Sequence, residues 1–374
     1  MDNIVTVEDL QQYSGDNDLP LLPPSADIES KVILKKAISA NRALAELKNK
    51  VELLPNQDML ISSIALTEAK VSSEIENIFT TDDALYKSNI TSDNQLDPHT
   101  KEVKSYNKAL WLGMDLIKEK SLGTSTFIKL VQTVKRNDAG IRKTTGTVIK
   151  NGNTGEIVHI PPQGEDVILG KLANLESFLY DNTGVDALIK MAILHYQFEA
   201  IHPFLDGNGR VGRIINILWL VQEGLLNRPV LFLSEYFLKH KQKYYDLLKA
   251  VTTNAEWENW IIYILDAIEE TSKSTQTKVD KIISARKAFK KKLIDNFPRI
   301  YSSDLVDALF SLPYFRISDV LEMFPTIKYQ TAKRYLESLS KPRALDGKEQ
   351  MIEMFKVGRE NIYVNKSLLG ILSS

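Results

Sequence analysis

The stretch that decides the fold and the chemistry of this 374-residue chain is His202-Pro203-Phe204-Leu205-Asp206-Gly207-Asn208-Gly209-Arg210-Val211-Gly212-Arg213. A helix is predicted to end near Ile201, and a second helix is predicted to begin at about Asn208. The glycines between them let the backbone approach a ligand closely. Because the free N–H groups and the dipole of a helix start favour an anion, we predict an anion-binding loop here.

The charged residues of this stretch suit a polyphosphate. Arg210 and Arg213 are three residues apart, so they share one face of the second helix. Two guanidinium groups beside an anion site bind phosphates well. Asp206 can hold a Mg²⁺ ion that bridges phosphates. His202 stands at the entry of the loop, where an imidazole can take a proton from a hydroxyl near neutral pH.

Two other interpretations of the same residues are weaker. The spacing of Gly207, Gly209 and Gly212 also matches a dinucleotide fingerprint, but that fingerprint follows a strand and here a helix precedes it. His195 and Glu199 upstream of His202 do not have a known metal-ligand spacing. A histidine on an apolar helix, such as His195, is more typical of a core.

Around the loop, helical spacing of apolar residues dominates the chain. Helices are predicted over residues 28–53, 57–77, 101–120, 124–137, 167–180, 187–200, 208–222, 234–251 and 256–272. Short strands at 147–150 and 156–160 flank a Gly/Asn turn, which predicts a β-hairpin that Pro161-Pro162 ends. The body is therefore predicted to be almost entirely α-helical.

The pattern changes near the C-terminus. Residues 271–281 are polar and rich in Ser, Thr and Lys, so we predict a connector there. Beyond it we predict helices over 302–310, 317–324 and 329–339 and strands over 351–355 and 361–364. Three short helices followed by a two-stranded wing indicate a winged-helix module.

Composition narrows the function classes. The chain has 47 basic and 48 acidic residues, so no global field draws it to nucleic acid or membrane. It has no cysteine, which excludes disulfides and thiolate catalysis. No apolar run reaches the length of about 20 residues that a membrane span needs. With no secretory signal at its start, the chain is expected to be cytoplasmic.

The loop resembles the Fic motif, HxFx(D/E)GNGRxxR, and matches it at every specified position. The resemblance covers most of residues 19–270, including the segments Leu231–Phe237 and Tyr244-Tyr245 that follow the motif. It implies a mainly α Fic-type helical bundle with a β-hairpin flap, followed by the winged-helix domain. The implied domains are an N-terminal helical extension at 1–100, a Fic catalytic domain at 101–275 and the winged helix at 282–374.

The resemblance also implies an activity, the transfer of AMP from Mg²⁺-ATP to a Ser, Thr or Tyr hydroxyl of a target protein or of the chain itself. His202 is then the base and Asp206 the Mg²⁺ ligand. The ATP-binding residues implied are Asp206, Gly207, Asn208, Gly209, Arg210, Val211, Gly212, Arg213, Tyr244 and Tyr245. The hairpin becomes a flap that docks the target by adding a strand, through Ile157, Val158, His159 and Ile160. The alternative for the tyrosines is ordinary packing, and for the hairpin a structural role.

Ser72-Ser73-Glu74-Ile75-Glu76-Asn77 resembles the inhibitory motif of the same family, (S/T)xxxE(G/N). Ser72 and Glu76 lie on one helix face. The resemblance implies that Glu76 pairs with Arg213 and denies it to the γ-phosphate. A bidentate arginine–carboxylate pair would then take the place of an arginine–phosphate pair. It also implies a second activity, the removal of AMP by water that the carboxylate orients.

Two alternatives differ from AMP transfer. One is a Fic-fold enzyme that moves another phosphate-containing group, although such proteins tend to depart from the motif. The other is a DNA-binding regulator, with Lys328, Gln330, Lys333 and Arg334 near a candidate recognition helix. Residues 301–374 have 10 basic and 9 acidic residues, a weak excess for a DNA binder. A homodimer remains compatible with the sequence.

Overall fold

The computed structural model describes residues 19–54, 57–88, 96–150, 155, 157–341, 350–357 and 360–373. The predicted hairpin turn at 151–154, the side chain of Val158 and the tip of the wing at Gly358 and Arg359 lie outside the described residues. The predicted mainly α fold is confirmed, with two small antiparallel sheets in the described part of the chain.

The N-terminal part consists of helices whose starts are set by capping residues. The helices are α1 (Lys31–Val51), α2 (Gln57–Ile75), α3 (Asp82–Lys87), α4 (Pro98–Glu119) and α5 (Thr124–Lys135). Ser30, Thr81 and Asp97 each accept a hydrogen bond from a backbone N–H in the first turn of the helix that follows. The short helix α3 was not predicted.

The centre of the molecule is a helix that is buried on nearly every side. Strands β1 (Ile149–Lys150) and β2 (Ile157–His159) form the predicted hairpin, with Ile149 opposite His159. After α6 (Glu165–Tyr180) comes α7 (Ala187–Ile201), which is apolar all round, as a central helix must be. It packs against α8 (Asn208–Gln222), so the loop between these helices lies at the edge of the core.

The prediction of a polar connector at 271–281 is wrong. After α9 (Leu233–Lys239) and α10 (Lys241–Asn254), a single helix, α11, runs from Trp257 to Asn296 without a break. Thr271, Ser272 and Thr275 are buried in α11, so the Ser/Thr-rich composition reflects a closely packed helix face and not a linker. The hydroxyls of Thr271 and Thr277 bond to carbonyls of their own helix, that of Thr277 to the Lys273 carbonyl at 3.0 Å.

Helices α1 and α11 lie side by side and run in the same direction. Ser30 bonds to Glu258 at 2.6 Å near one end, and Lys50 pairs with Asp280 at 2.6 Å near the other. Between these ends, the Gln276 amide donates to the Ala43 carbonyl at 2.9 Å. This pairing fastens the start of the described chain to the helix that leads into the C-terminal module.

The C-terminal module has helices around a three-stranded sheet. Its elements are α12 (Ser303–Leu309), β3 (Tyr314–Phe315), α13 (Ile317–Met323), α14 (Tyr329–Ser340), β4 (Glu353–Val357), β5 (Glu360–Val364) and α15 (Lys366–Leu372). The strand order is β3-β5-β4, all antiparallel, so the predicted wing of two strands is extended by β3. Strand β3 is only two residues long, which is too short for an alternating sequence pattern to predict it.

The C-terminal module packs on α3. The Tyr314 hydroxyl donates to Asp83 at 2.6 Å, and the Tyr314 ring stacks on Tyr86 with ring centroids 6.4 Å apart. The Lys87 ammonium lies 4.8 Å from the centre of the Phe355 ring. Tyr314 and residues of β5 and α15 belong to the same buried cluster as the N-terminal helices. The described part of the chain has no helix long and apolar enough to cross a membrane.

Candidate active site

The loop after α7 is shaped by one residue with unusual backbone geometry. His202 caps α7 in the left-handed conformation, with φ of 48°, and its N–H donates to the Phe198 carbonyl. The buried Arg142 side chain donates to the carbonyls of His202, at 2.8 Å, and Ile201, at 3.3 Å. Arg142 also donates to the Pro162 carbonyl, beyond the hairpin. It therefore fixes the position of His202 relative to the hairpin.

The far side of the loop is closed by Asn208. Its amide oxygen accepts from the Phe204 N–H at 2.9 Å, and its amide nitrogen donates to the Phe204 carbonyl at 2.8 Å. Gly207 precedes the helix with φ of 87°, a conformation that favours glycine. The first N–H groups of α8 have no intrahelical acceptor and point out of the helix start. These are the free N–H groups and the glycine conformation on which the anion-binding prediction depends.

The ring of His202 is held neutral. Burial lowers its pKa to about 4, with further contributions from Arg142 and His159. Among the described residues, its Nδ1 atom has no hydrogen-bond partner. A neutral imidazole at physiological pH is the form that can accept a proton.

Arg213 is held by residues of α2. Its Nε donates to the Ser72 hydroxyl at 2.7 Å, and its Nη2 donates to the Ser72 carbonyl at 2.8 Å and to Glu76 Oε1 at 2.9 Å. The Arg213 side chain is 2% exposed, whereas that of Glu76 is 37% exposed. The predicted pairing of Glu76 with Arg213 is therefore present in the structure.

Asn77 ends the helix that carries this glutamate. It lies just after α2 and takes the left-handed conformation, with φ of 60°. The N–H of Ile78 then reaches back to the Ser73 carbonyl at 3.0 Å. Glycine and asparagine tolerate this conformation better than other residues do, which accounts for the G/N position of the motif.

Two glycines of the loop each face a glutamate. A Cβ atom on Gly209 would lie 2.4 Å from Oε1 of Glu76, and a Cβ on Gly212 would lie 2.4 Å from Oε1 of Glu199. Burial raises the pKa of Glu199 to about 7. Its Oε1 is buried and has no hydrogen-bond partner in the described part of the chain. The missing side chains at 209 and 212 make room for both carboxyl groups.

The other two charged residues of the loop also have partners. Arg210 is buried and its Nη1 donates to Glu102 on α4 at 2.8 Å. Asp206 accepts from the ammonium of Lys135, the last residue of α5, and its other oxygen lies 3.7 Å from Nη2 of Arg210. Although burial acts in the opposite direction, Lys135 and Arg210 hold the pKa of Asp206 below its usual value.

The donor set fits Mg²⁺. Within the described ranges no cluster of three or more His, Cys, Asp or Glu side chains could hold a metal by itself. Mg²⁺ is usually bound by one or two carboxylates together with phosphate oxygens, so a single Asp206 beside an anion site is adequate. The cationic partners of Asp206 show that the carboxylate attracts positive charge at this place.

Tyr244 belongs to a buried network and Tyr245 does not. The Tyr244 hydroxyl is 2.9 Å from Nε2 of His195, whose Nδ1 is 3.0 Å from the Asn216 amide nitrogen. Burial lowers the pKa of His195 to about 3. Tyr245 is 43% exposed and packs edge-on against Tyr244 with centroids 5.1 Å apart. His195 is thus a core residue, as its apolar helix predicts.

The hairpin touches the end of α7. Nε2 of His159 lies 2.8 Å from the Ala200 carbonyl, and burial lowers the pKa of His159. Ile157 and His159 are in β2, whereas Ile160 follows it. The hairpin therefore borders the entry of the loop, where a flap is predicted.

Most of the predicted site residues converge, but some turn inward. His202, Asp206, Arg210, Arg213, Ser72 and Glu76 surround the start of α8, whereas Val211 is fully buried in the core and the Asn208 amide is used within the loop. Sequence reasoning missed the roles of Arg142, Lys135 and Glu102. Arg142 stands in the Gly140-Ile141-Arg142 segment beside the hairpin, the one signal that could have found it.

Three family models match the chain. They are described as "Fic/DOC family N-terminal" at residues 34–115, "Fic/DOC family" at 125–220 and "Protein adenylyltransferase SoFic-like, C-terminal domain" at 286–368. Together they cover the N-terminal helices, the loop with its histidine and the C-terminal module.

The chain belongs to the Fic/DOC family.

Similar proteins agree with this membership. A Fic family protein from Desulfovibrio desulfuricans has the same fold, with a TM-score of 0.55 at 19% identity, covering 92% of this chain and 98% of that one. A "Probable protein adenylyltransferase" of Aquifex aeolicus is 44% identical over 61 residues, 16% of this chain and 19% of its own length. "Protein adenylyltransferase Fic" of Culex quinquefasciatus is 32% identical over 119 residues, which are 30% of this chain and 21% of that protein. The chain thus matches about a fifth of the length of these two relatives.

Proposed function

We propose that this Fic protein transfers AMP from ATP to a hydroxyl group of a protein. The observation that carries the proposal is the convergence of a neutral His202 with Asp206, Arg210 and Arg213 at the start of α8. A proton acceptor beside a phosphate-binding helix start is what attack of a hydroxyl on a phosphoryl group requires. The names of the adenylyltransferase relatives support the same activity.

Each residue has a role in this reaction. The N–H groups at the start of α8 and the two arginines hold the triphosphate. Asp206 would hold Mg²⁺, which supplies neutralising charge to the phosphate oxygens when it is bound. His202 takes the proton of the target hydroxyl as the oxygen bonds to the α-phosphorus, and the bond to pyrophosphate breaks with its electron pair. The negative charge of ATP beside His202 raises the basicity of the ring.

The position of His202 depends on hydrogen bonds from Arg142. Arg142 bonds to the carbonyls at the end of α7 and to Pro162, so the histidine and the hairpin are held by one guanidinium. We propose that the edge of β2 receives the target segment as an added strand. A target hydroxyl bound there lies at the entry to the loop that holds His202.

We further propose that Glu76 inhibits transfer. It occupies the same guanidinium edge of Arg213 that a γ-phosphate would use, and Ser72 occupies the Nε of that arginine. With Arg213 engaged, ATP binds without its α-phosphate in line with the target hydroxyl. The same carboxylate, exposed at its tip, is suited to orient a water molecule for removal of AMP from a modified protein.

Transfer from labelled ATP tests the proposal. The Glu76→Gly chain is expected to transfer AMP about tenfold faster than the natural chain, because tenfold corresponds to the free energy of one charge-assisted hydrogen bond. Label at the α-phosphate should appear on protein, whereas label at the γ-phosphate should leave as pyrophosphate. His202→Ala in this background should reduce transfer by about 10²- to 10⁴-fold.

The control is Lys118→Ala, because Lys118 is 69% exposed near the end of α4, at the far end of the helix from Glu102, which binds Arg210. Incorporation of the γ-label in place of the α-label would identify transfer of a phosphate and overturn the proposal. Equal transfer by the natural and Glu76→Gly chains would overturn the inhibitory role alone. DNA binding by the exposed Lys328, Gln330 and Arg334 of the α14 region stays a prediction.

A further inference from the structure

Lys135 is a charged residue at the site to which the proposed reaction assigns no role. It is the last residue of α5, and its ammonium forms an ion pair with Oδ2 of Asp206. The Lys135 side chain is 22% exposed, and that of Asp206 is 62% exposed. The ammonium thus occupies a position beside the carboxylate where a divalent cation would bind.

The carbon stem of Lys135 packs beside Gly207, whereas its ammonium group can change position. Its Cδ would be 3.4 Å from a Cβ placed on Gly207, so the stem lies across the residue that begins the anion-binding helix start. Val131, one turn earlier on α5, supports the same surface at 3.5 Å. A lysine has a flexible four-carbon stem and a compact charge, so the ammonium can turn without moving the stem over Gly207.

A divalent cation on Asp206 would compete with the ammonium for the same negative charge. Mg²⁺ binds oxygen ligands at about 2.0–2.1 Å, so on Oδ2 it would lie close to the ammonium bonded there and repel it. When the cation and the triphosphate arrive, the ammonium loses Asp206 and meets phosphate oxygens at the start of α8. Arg210 already lies 3.7 Å from the other oxygen of Asp206, so the displaced ammonium joins an existing cationic site.

We propose that Lys135 is a third cationic ligand of the triphosphate, held on Asp206 until a divalent cation displaces it. This inference rests on the proposed function, because it takes a nucleoside triphosphate as the ligand. It assigns Lys135 two opposite effects. The ammonium competes with the metal for Asp206, and it strengthens binding of the metal–nucleotide complex.

The variant Lys135→Met separates these effects, because methionine keeps an apolar stem over Gly207 and removes the charge. In the first measurement, Mn²⁺ binding to the full chain without nucleotide is followed by proton relaxation, with Asp206→Ala as the blank. Lys135→Met is expected to bind Mn²⁺ about 3- to 10-fold more tightly than the natural chain, since its competitor is gone.

In the second measurement, an ATP analogue with a methylene group between the α- and β-phosphorus is titrated in the presence of Mg²⁺ by calorimetry. This arm uses the Glu76→Gly chain with and without Lys135→Met, so that Glu76 no longer occupies Arg213. The affinity is expected to fall about tenfold, the value of one charge-assisted hydrogen bond. Lys129→Met, exposed on the same helix, should change neither measurement.

Each other result overturns the inference. Weaker binding of both Mn²⁺ and the analogue would make Lys135 a structural support of the loop. Tighter Mn²⁺ binding with unchanged analogue binding would make it a counter-ion only, and unchanged Mn²⁺ binding would mean that the two cations do not share Asp206. Neither measurement involves transfer, so a failure of the proposed AMP transfer would be seen separately in the α-label experiment.

Discussion

His195 and Glu199 lie one turn apart on α7, and burial favours the neutral form of both side chains. Burial lowers the pKa of His195 to about 3 and that of His202 to about 4. Burial has the opposite effect on carboxyl groups and raises the pKa of Glu199 and of Glu68 to about 7. Glu68 is fully buried and accepts from the hydroxyls of Ser234 and Tyr106. Between about pH 4.5 and 6.5 all four groups are therefore mostly neutral.

These groups make opposing contributions to stability between pH 6.5 and 4.5. The unfolded chain binds protons at both histidines in this window and the folded chain does not, so the histidines lower stability as pH falls. The folded chain keeps both glutamates protonated and the unfolded chain does not, so the glutamates raise stability as pH falls. Burial also lowers the pKa of His159, so three histidines oppose two glutamates, and we expect the natural chain to lose stability as pH falls through this window.

Single substitutions should tip this balance in opposite directions. Relative to the natural chain, the free energy of unfolding of Glu199→Gln should fall by about 1.4 kcal/mol more per pH unit as pH is lowered from 6.5 to 4.5. That of His195→Gln should fall by a similar amount less over the same window. Urea unfolding at several pH values measures both slopes, with His99→Gln as the surface control. Parallel profiles for the two variants would show that these groups are not held neutral.

The residues of the site differ in how far sequence could predict them. His202, Asp206, Arg210 and Arg213 stand in one motif, so their convergence follows from a loop of fixed length. The pairing of Glu76 with Arg213 spans 137 residues and came from a second motif. Lys135 and Glu102 belong to no motif, and their places depend on how α4 and α5 pack against α8. A single charged residue on a helix surface carries no signal of its partner.

At the scale of one element, α2 depends on how it ends. Asn77 in the left-handed conformation stops the helix directly after Glu76, and Ile78 bonds back to Ser73. Lys241 of α10 also donates to the Ile75 carbonyl at 2.7 Å. The end of α2 is therefore held from both sides, which keeps the Glu76 carboxylate at Arg213.

Substitution of Asn77 tests this dependence. Asn77→Ala removes the polar side chain that makes the left-handed conformation accessible to asparagine, at a cost of up to about 1–2 kcal/mol, which should fray the last turn and increase AMP transfer. Asn77→Gly tolerates the same conformation and should transfer at the rate of the natural chain. The measurement is the rate of α-label incorporation with each variant. If Asn77→Ala in the Glu76→Gly background raised transfer further, the effect would not act through Glu76.

Elements with a strong period were predicted well, and those that depend on their neighbours were not. Helix α8 begins and ends where the apolar spacing places it, at Asn208 and Gln222. The predicted helix at 234–251 is instead α9 and α10, which separate at His240. In α11, small hydroxyl residues face α1, and composition alone cannot tell a buried polar face from a linker. Short elements such as α3 and β3 form because the two modules meet there.

At the scale of the whole molecule, the C-terminal module and the catalytic body share a core. Tyr314 contacts Asp83 and Tyr86, and residues of β5 and α15 are buried with the N-terminal helices. The helix α11 continues from one part into the other. We therefore expect the chain to unfold as one cooperative unit.

Calorimetry can measure this cooperativity. The full chain should give a single unfolding transition, and a chain that ends after Asn296 should unfold at a lower temperature because the cover of α3 is lost. Ending the chain after Lys281 should lower the unfolding temperature further, because α11 is then shortened by its last 15 residues. Two transitions in the full chain, with the first body unaffected by truncation, would show instead that the parts are independent.

The parallel pairing of α1 with α11 affects how the protein folds during its synthesis on the ribosome. The residues that join these helices are 228 to 233 positions apart in the chain. Because synthesis proceeds from the N-terminus, α1 emerges with its apolar face uncovered and waits for most of the protein to be translated before its partner exists. Closing so long a loop is slow compared with local helix formation. Nascent chains halted before residue 257 should therefore recruit chaperones through α1, and released full-length chains should shed them.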